Sequence, residues 1–224
     1  MRKPGKRVLF RRNKKTGKLR RAGRPRRRGV KVYGSISPIP ARQIVKMKYA
    51  TAAEFNVVTA YNYQFNLNSI FDPDRTAGGH QPYGHDQLAA LYNRYRVISC
   101  NYVLSAYTGS SPIRFGVVPA NEVKTFTTVA DLIENPRAQY RFQVPGGDTQ
   151  VITGKCYIPS LMGRSKTQYM SDDRYQAAFG SSPAELAILN CTALSLAEVG
   201  VTVQFQLTLE YTVEVFDQHP LAQS

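Results

Sequence analysis

The sequence predicts an all-β fold, an eight-stranded antiparallel sandwich preceded by a disordered basic arm, and three observations predict it. The first is the C-terminal stretch. Val201, Val203, Phe205, Leu207, Leu209, Tyr211, Val213 and Val215 share one parity, and Thr202, Gln204, Gln206, Thr208, Glu210, Thr212 and Glu214 share the other. Such alternation describes a long strand with one face in a core. The second is that shorter runs of period two recur along the chain between turn residues. The third is the charge. Residues 1–48 hold 19 of the 30 Lys and Arg and no acid, the first being Glu54, so residues 49–224 keep 11 basic against 15 acidic, a net of −4.

The arm comes first in the chain. Arg11-Arg12, Lys14-Lys15, Arg20-Arg21 and Arg26-Arg27-Arg28 are separated by Gly5, Gly17, Gly23 and Gly29, with Pro4 and Pro25. Self-repulsion together with Gly and Pro predicts that this segment has no stable fold until it is neutralised. Its cations, Arg2, Lys3, Lys6, Arg7, Arg11, Arg12, Lys14, Lys15, Lys18, Arg20, Arg21, Arg24, Arg26, Arg27, Arg28 and Lys31, are the candidate nucleic-acid-binding residues. Such side chains displace condensed counterions from phosphates, giving affinity that is steep in salt and blind to sequence. Gly23-Arg24-Pro25 is too short a match to assign minor-groove readout. Lys14–Lys18 and Arg24–Arg28 also suit nuclear localisation, which is compatible with packaging. The hinge is placed at Ser35–Pro40, which gives an arm over 1–41 and a second domain over 42–224.

The strands then follow. Period two predicts them at Gln43–Thr51, Val57–Phe65, Arg94–Tyr107, Pro112–Pro119, Ala138–Val144, Gln150–Ile158, Leu186–Leu196 and the C-terminal stretch. In Arg94–Tyr107, Ile98, Cys100, Tyr102, Leu104 and Ala106 are expected on one face. Gly146-Gly147-Asp148 reads as a hairpin turn. Two short helices are expected: His85–Asn93, with Asp86 in its first turn, and Thr128–Glu134, stopped before Asn135-Pro136. Residues 161–183 read as a long loop. Eight strands with few helices and long loops favour the jelly roll among antiparallel sandwiches.

One stretch is more specific. It runs from Phe65-Asn66-Leu67-Asn68-Ser69-Ile70-Phe71-Asp72-Pro73 through Gly84-His85-Asp86-Gln87 to Leu91-Tyr92-Asn93-Arg94-Tyr95-Arg96-Val97. This wording, with the basic arm and the long final strand, resembles the single-jelly-roll capsid proteins of circular, Rep-encoding single-stranded DNA viruses, the circovirus-like group. The layout matches over the whole chain, the specific wording over about 35 residues. The resemblance implies a coat protein that self-assembles into a small icosahedral shell and virus-like particles, with sixty copies and a single-stranded DNA genome packaged by the arm. Sixty arms of 19 cations would carry about 1,100 positive charges, the right order for condensing a few kilobases. The implied location is the virion, with the host nucleus during assembly. The host receptor is not legible. Two alternatives stay open: a coat protein of a single-stranded RNA virus, and a cellular nucleic-acid-binding protein of ribosomal type. The acidic body weighs against the second, because such proteins place cations on the docking face.

Other chemistries find little support. No run of 18 apolar residues predicts membrane insertion, and the N-terminus lacks the apolar region of a secretory signal and the Ser of a mitochondrial one. Cys100, Cys156 and Cys191 form no CxxC pair and are expected as small core residues in a reducing compartment. His80 and His85 with Asp72, Asp74 and Asp86 are too scattered for zinc, and no cofactor or metal is expected. No base–nucleophile pair or G-x-S-x-G elbow is present, so no enzyme activity is expected. Asn190-Cys191-Thr192 fits a glycosylation sequon but falls in a predicted strand. Tyr61, Tyr63, Tyr83, Tyr92, Tyr95, Tyr102 and Tyr107 are expected at a core edge or a subunit interface rather than stacked on bases.

Overall fold

The computed structural model describes residues 10–12, 19–21, 39–76, 78–197 and 200–220. The chain falls into two units, Met1–Pro38 and Ile39–Ser224. In the first, β1 (Phe10–Arg12) and β2 (Leu19–Arg21) pair antiparallel, with Arg11 opposite Arg20. The expectation of an unfolded arm otherwise falls on residues outside the described ones.

The second unit contains β3 (Arg42–Val57), β4 (Ala60–Asn66), α1 (His85–Ala89), β5 (Tyr92–Thr108), β6 (Ile113–Ala120), α2 (Val129–Glu134), β7 (Gln139–Gln143), β8 (Gln150–Tyr157), α3 (Ile158–Leu161), α4 (Lys166–Ser171), a 3-10 turn at Asp173–Tyr175, β9 (Ala177–Ala178), β10 (Ile188–Ser195) and β11 (Val201–Gln218). One sheet has the order β3-β11-β5-β8, with β9 beside β5; the other has β4-β10-β6-β7. Every pairing is antiparallel. The chain passes between sheets at β3 to β4, β4 to β5, β5 to β6, β7 to β8, β8 to β10 and β10 to β11. This interleaving of eight long strands is the jelly roll.

The core follows from the parity of β11. All eight odd residues from Val201 to Val215 are buried. Phe205 meets Phe65 and Tyr63 of the facing sheet, each with ring centroids 5.9 Å apart. A smaller cluster of Val118, Phe126, Leu132 and Leu194 lies beneath segment 121–138. That covering explains why β10 is buried on both faces.

Gly154 marks the closest approach in the core. It stands opposite Tyr102, whose ring occupies the space where a Cβ would sit. An aromatic side chain laid over a cross-strand glycine covers its bare backbone. Gly154→Ala is expected to cost about 1–3 kcal/mol by overpacking, measured by urea unfolding. An unchanged midpoint would show that the Tyr102 ring moves aside freely.

The structure corrects several expectations. The β5 alternation does not run through Ile98. The pairing with β11 shifts there: Thr212 faces Ser99 while Val213 faces Val97. A β-bulge absorbs the extra residue, so Val97 and Tyr95 take over the core side and Ile98 is half-buried. Gly146-Gly147 is not a hairpin turn, because β7 and β8 belong to different sheets. It is a tight corner closed by Gly147 N–H to Val144 O (3.2 Å), with Gly146 at φ 68°, a conformation that favours glycine.

Among the described residues four helices form rather than two, and residues 161–183 are not a loop. α4 begins on a reciprocal cap: Ser165 Oγ accepts from Gln168 N–H, and the Gln168 side chain accepts from Ser165 N–H. Its one deep anchor is Tyr169, so no apolar period announces it. α1 stops at Ala89 because Tyr92, fully buried, already opens β5. β3 continues to Val57 because β11 runs opposite it for sixteen residues.

Candidate nucleic-acid interface

Of the sixteen arm cations, Arg11 and Arg12 lie in β1 and Arg20 and Arg21 in β2. Arg2, Lys3, Lys6, Arg7, Lys14, Lys15, Lys18, Arg24, Arg26, Arg27, Arg28 and Lys31 lie outside the described residues, as do Gly23-Arg24-Pro25 and the Ser35–Pro38 part of the hinge.

The body presents a different electrostatic character. Residues 42–224 contain 14 Lys and Arg against 15 Asp and Glu, a net of −1. Many of these charges compensate one another: Lys46 with Glu210 (3.1 Å), Lys124 with Glu122 (3.2 Å), and Arg174 with Asp172 (2.7 Å) and Glu185 (3.4 Å). The Arg174 guanidinium holds the Asp172 carboxyl down at about 2. Among the described residues, one ion pair is buried on both sides. Arg96 and Glu214 lie on the face of the β3-β11-β5-β8 sheet away from the main core, 3.6 Å apart with side chains 4% and 11% exposed. α4 supplies Met170 and the following turn supplies Gln176 to cover them.

The residues of the specific stretch prove to be structural. Asn66 Nδ2 donates to Asp72 O (2.6 Å), and Tyr211 Oη donates to Asn66 O (2.7 Å). Asn68 clasps the segment leading into β10, donating to Glu185 O and accepting from Ala187 N–H, both at 2.8 Å. Tyr95 Oη donates to Ser181 O (2.8 Å), and Ser69 Oγ lies 2.8 Å from Ser182 Oγ. The loop after β4 is thereby fastened to segment 181–187. The runs Asn66-x-Asn68-Ser69 and Tyr92-x-x-Tyr95 were the signal in the sequence, but the partners Ser181, Ser182, Glu185, Ala187 and Tyr211 lie more than 80 residues away.

The remaining candidates disperse. His80 stacks over Tyr49 with centroids 4.8 Å apart, while His85 is buried between Phe71 and Phe179, its Nδ1 3.1 Å from Asp86. Asp74 accepts from Tyr63 Oη (2.9 Å). Burial, and then the nearby Asp74, push the Asp72 carboxyl up. Among the described residues no group of three or more His, Cys, Asp or Glu comes together to hold a metal ion. Cys100, Cys156 and Cys191 are buried free thiols, as expected, and burial pushes Cys156 up to about 11 and the other two upward as well. Asn190 is 1% exposed, with its amide bound to Lys124 N–H, Glu122 O and Val118 O, which leaves no acceptor for a glycan. Tyr63, Tyr92, Tyr95 and Tyr102 belong to the main core and not its edge. Tyr83 is 97% exposed.

No family model matches this sequence, and no curated protein matches it. Solved virus structures are similar to it. A 60-mer of the BFDV capsid protein is 12% identical with a TM-score of 0.45, over 83% of this chain and all of that one. Desmodium yellow mottle tymovirus is 9% identical with a TM-score of 0.41, over 86% and 99%. Tobacco necrosis virus is 9% identical with a TM-score of 0.47, over 81% and 85%. At these values the fold rests on this chain's own strand order.

Proposed function

We propose that this chain is a viral coat subunit whose jelly roll forms the wall of a closed icosahedral shell of sixty copies. In this reading residues 1–41 are an internal arm that neutralises a packaged single-stranded genome without reading its sequence. The observation that carries it is the segregation of charge. Sixteen cations and no acid precede Arg42, while the body that follows is net −1. A body so balanced does not track a phosphate backbone, but it packs against copies of itself without long-range repulsion. Polyanion removes the repulsion between arms, and weak contacts repeated over many subunits become cooperative. DNA as the genome follows from the resemblance of residues 65–97, and the virion is the location, with the host nucleus during assembly suited to the basic clusters.

Light-scattering mass on a sizing column, with absorbance at 260 and 280 nm, tests this reading. The chain has no Trp, so bound nucleic acid stands out at 260 nm. The expected result is a megadalton particle whose nucleic acid survives external nuclease and, after extraction, is digested by DNase and not by RNase. Extracted RNA would move the reading to an RNA virus. A monomer that loses its 260 nm signal to salt or nuclease would replace it with a nucleic-acid-binding module.

A further inference from the structure

Among the described residues, the longest unpaired strand edge is that of β3. It pairs with β11 on one side through sixteen consecutive residues without a register break. It is the end strand of its sheet, and among the described residues no other strand pairs along its outer side. The other end strands are much shorter: β8 has eight residues, β4 seven and β7 five. Edges are ordinarily blunted by short length, charged side chains such as Lys, proline, bulges or a covering segment, and of these β3 has the charges Arg42, Lys46 and Lys48. The β3 sequence contains neither Pro nor Gly and no bulge. Its inward residues Val45, Ala53 and Phe55 pack against the core but stay only partly buried.

We propose that this edge pairs antiparallel with the same edge of a second copy, about a two-fold axis through Ala50, making one continuous sheet across the two subunits. An isologous contact of this kind needs a self-complementary strand, and β3 has one. Core faces stay aligned only in registers that pair residues of equal parity. Of these, axes through Tyr49 or Ala50 keep the longest ladders. Only the Ala50 axis sets Lys46 opposite Glu54 of the second copy, twice by symmetry. An axis through Lys48 would oppose the two Lys48 side chains. About Ala50, Lys48 meets Ala52, Ile44 meets Asn56, and on the inner face Val45 meets Phe55. Lys46 is exposed at 72% of its side chain and Ile44 at 66%, so both are available. The small side chains of Ala50 and Ala52 let the two ribbons meet flat. This names one contact within the shell and rests on the coat-subunit reading.

Two experiments on the full-length chain test it. Directly opposed residues of an antiparallel pair have Cα atoms about 4.5–5.5 Å apart, within disulfide range. Ala50→Cys is therefore expected to give mostly covalent dimer on a non-reducing gel after mild oxidation. Ala52→Cys should give little, because its symmetry mate lies about 13 Å along the ladder. The three native thiols are buried and add no background. If Ala50→Cys stays monomeric while particles form, the edge contact is wrong and the shell stands. If the dimer forms while the unaltered chain makes no particles, the contact stands and the shell reading falls; neither product overturns both.

The second experiment exchanges charge. Lys46→Glu and Glu54→Lys are each expected to weaken self-association roughly tenfold, since two cross-strand attractions become repulsions. An equimolar mixture of the two variants regains it, because each pair across the axis is again opposite in sign. Lys46 also reaches Glu210 of its own chain, so the mixture is decisive. A mixture no better than either variant alone overturns the contact.

Discussion

Deleting residues 1–41 is expected to abolish packaging while leaving the jelly roll folded. The arm carries sixteen Lys and Arg and no acid, and its removal leaves 14 basic against 15 acidic residues. For single strands, log K falls with log salt by about 0.7 for each phosphate neutralised. Sixteen engaged cations therefore give a slope of about −11, and the truncated chain should show a slope near zero. The absorbance ratio of any particle should fall to that of protein alone. Far-UV circular dichroism should retain its β signature, because the main core is built from residues between Met47 and Val215. Replacing the clusters in turn by Ala should lower the slope in proportion to the charge removed. That gradation separates counterion release from a specific contact, which would be lost in one step. A truncated chain that packages nucleic acid as fully as the parent would refute the role given to the arm.

What the sequence made legible was local, and what it hid was long-range. The parity of β11 identified every one of its inward residues from Val201 to Val215, because a strand with one buried face repeats every two residues wherever it sits. The same rule located all eight long strands in outline, but it began the second at Val57, which closes β3 ahead of the bend at Val58-Thr59, and ended the first at Thr51, six residues short of Val57. Ile98 broke the rule because a bulge depends on the partner strand, and β11 lies more than 100 residues downstream. Gly146-Gly147 carries the chemistry of a turn, yet nothing within it tells that β7 and β8 diverge to different sheets. α4 was announced only by Ser165 and Gln168, a cap without an apolar stripe. Asn66 and Asn68 are both buried: Asn68 holds backbone groups of Glu185 and Ala187, and the Asn66 backbone carbonyl receives Tyr211 Oη. Their role follows from topology, which brings segment 181–187 against the loop after β4. The arm was legible as charge alone, since composition needs no partner to be read.

Arg96 gives the largest expected single-residue loss of stability. Register places it opposite Glu214, two residues 118 apart in the chain, under the cover of Met170 and Gln176. Arg96 Nη2 donates to Gln176 Oε1 (3.0 Å), and its guanidinium lies 5.3 Å from the centre of the Phe216 ring. Burial pulls the Arg96 pKa down, while Glu214 opposes that pull. Arg42 reaches the other oxygen of Glu214 at 3.4 Å, but its side chain is 64% exposed. Arg96→Ala would leave the carboxylate with only that solvated partner and a void beneath α4. The expected cost is about 3–5 kcal/mol, the usual consequence of stripping one charge from a buried pair. Arg96→Met with Glu214→Leu should recover most of the loss, because two apolar groups of similar volume need no desolvated partner. Urea unfolding of dissociated subunits at high salt, followed by circular dichroism, measures both. A double variant as unstable as Arg96→Ala would show that the Gln176 and Phe216 contacts, and not the buried charge, hold this end of the sheet.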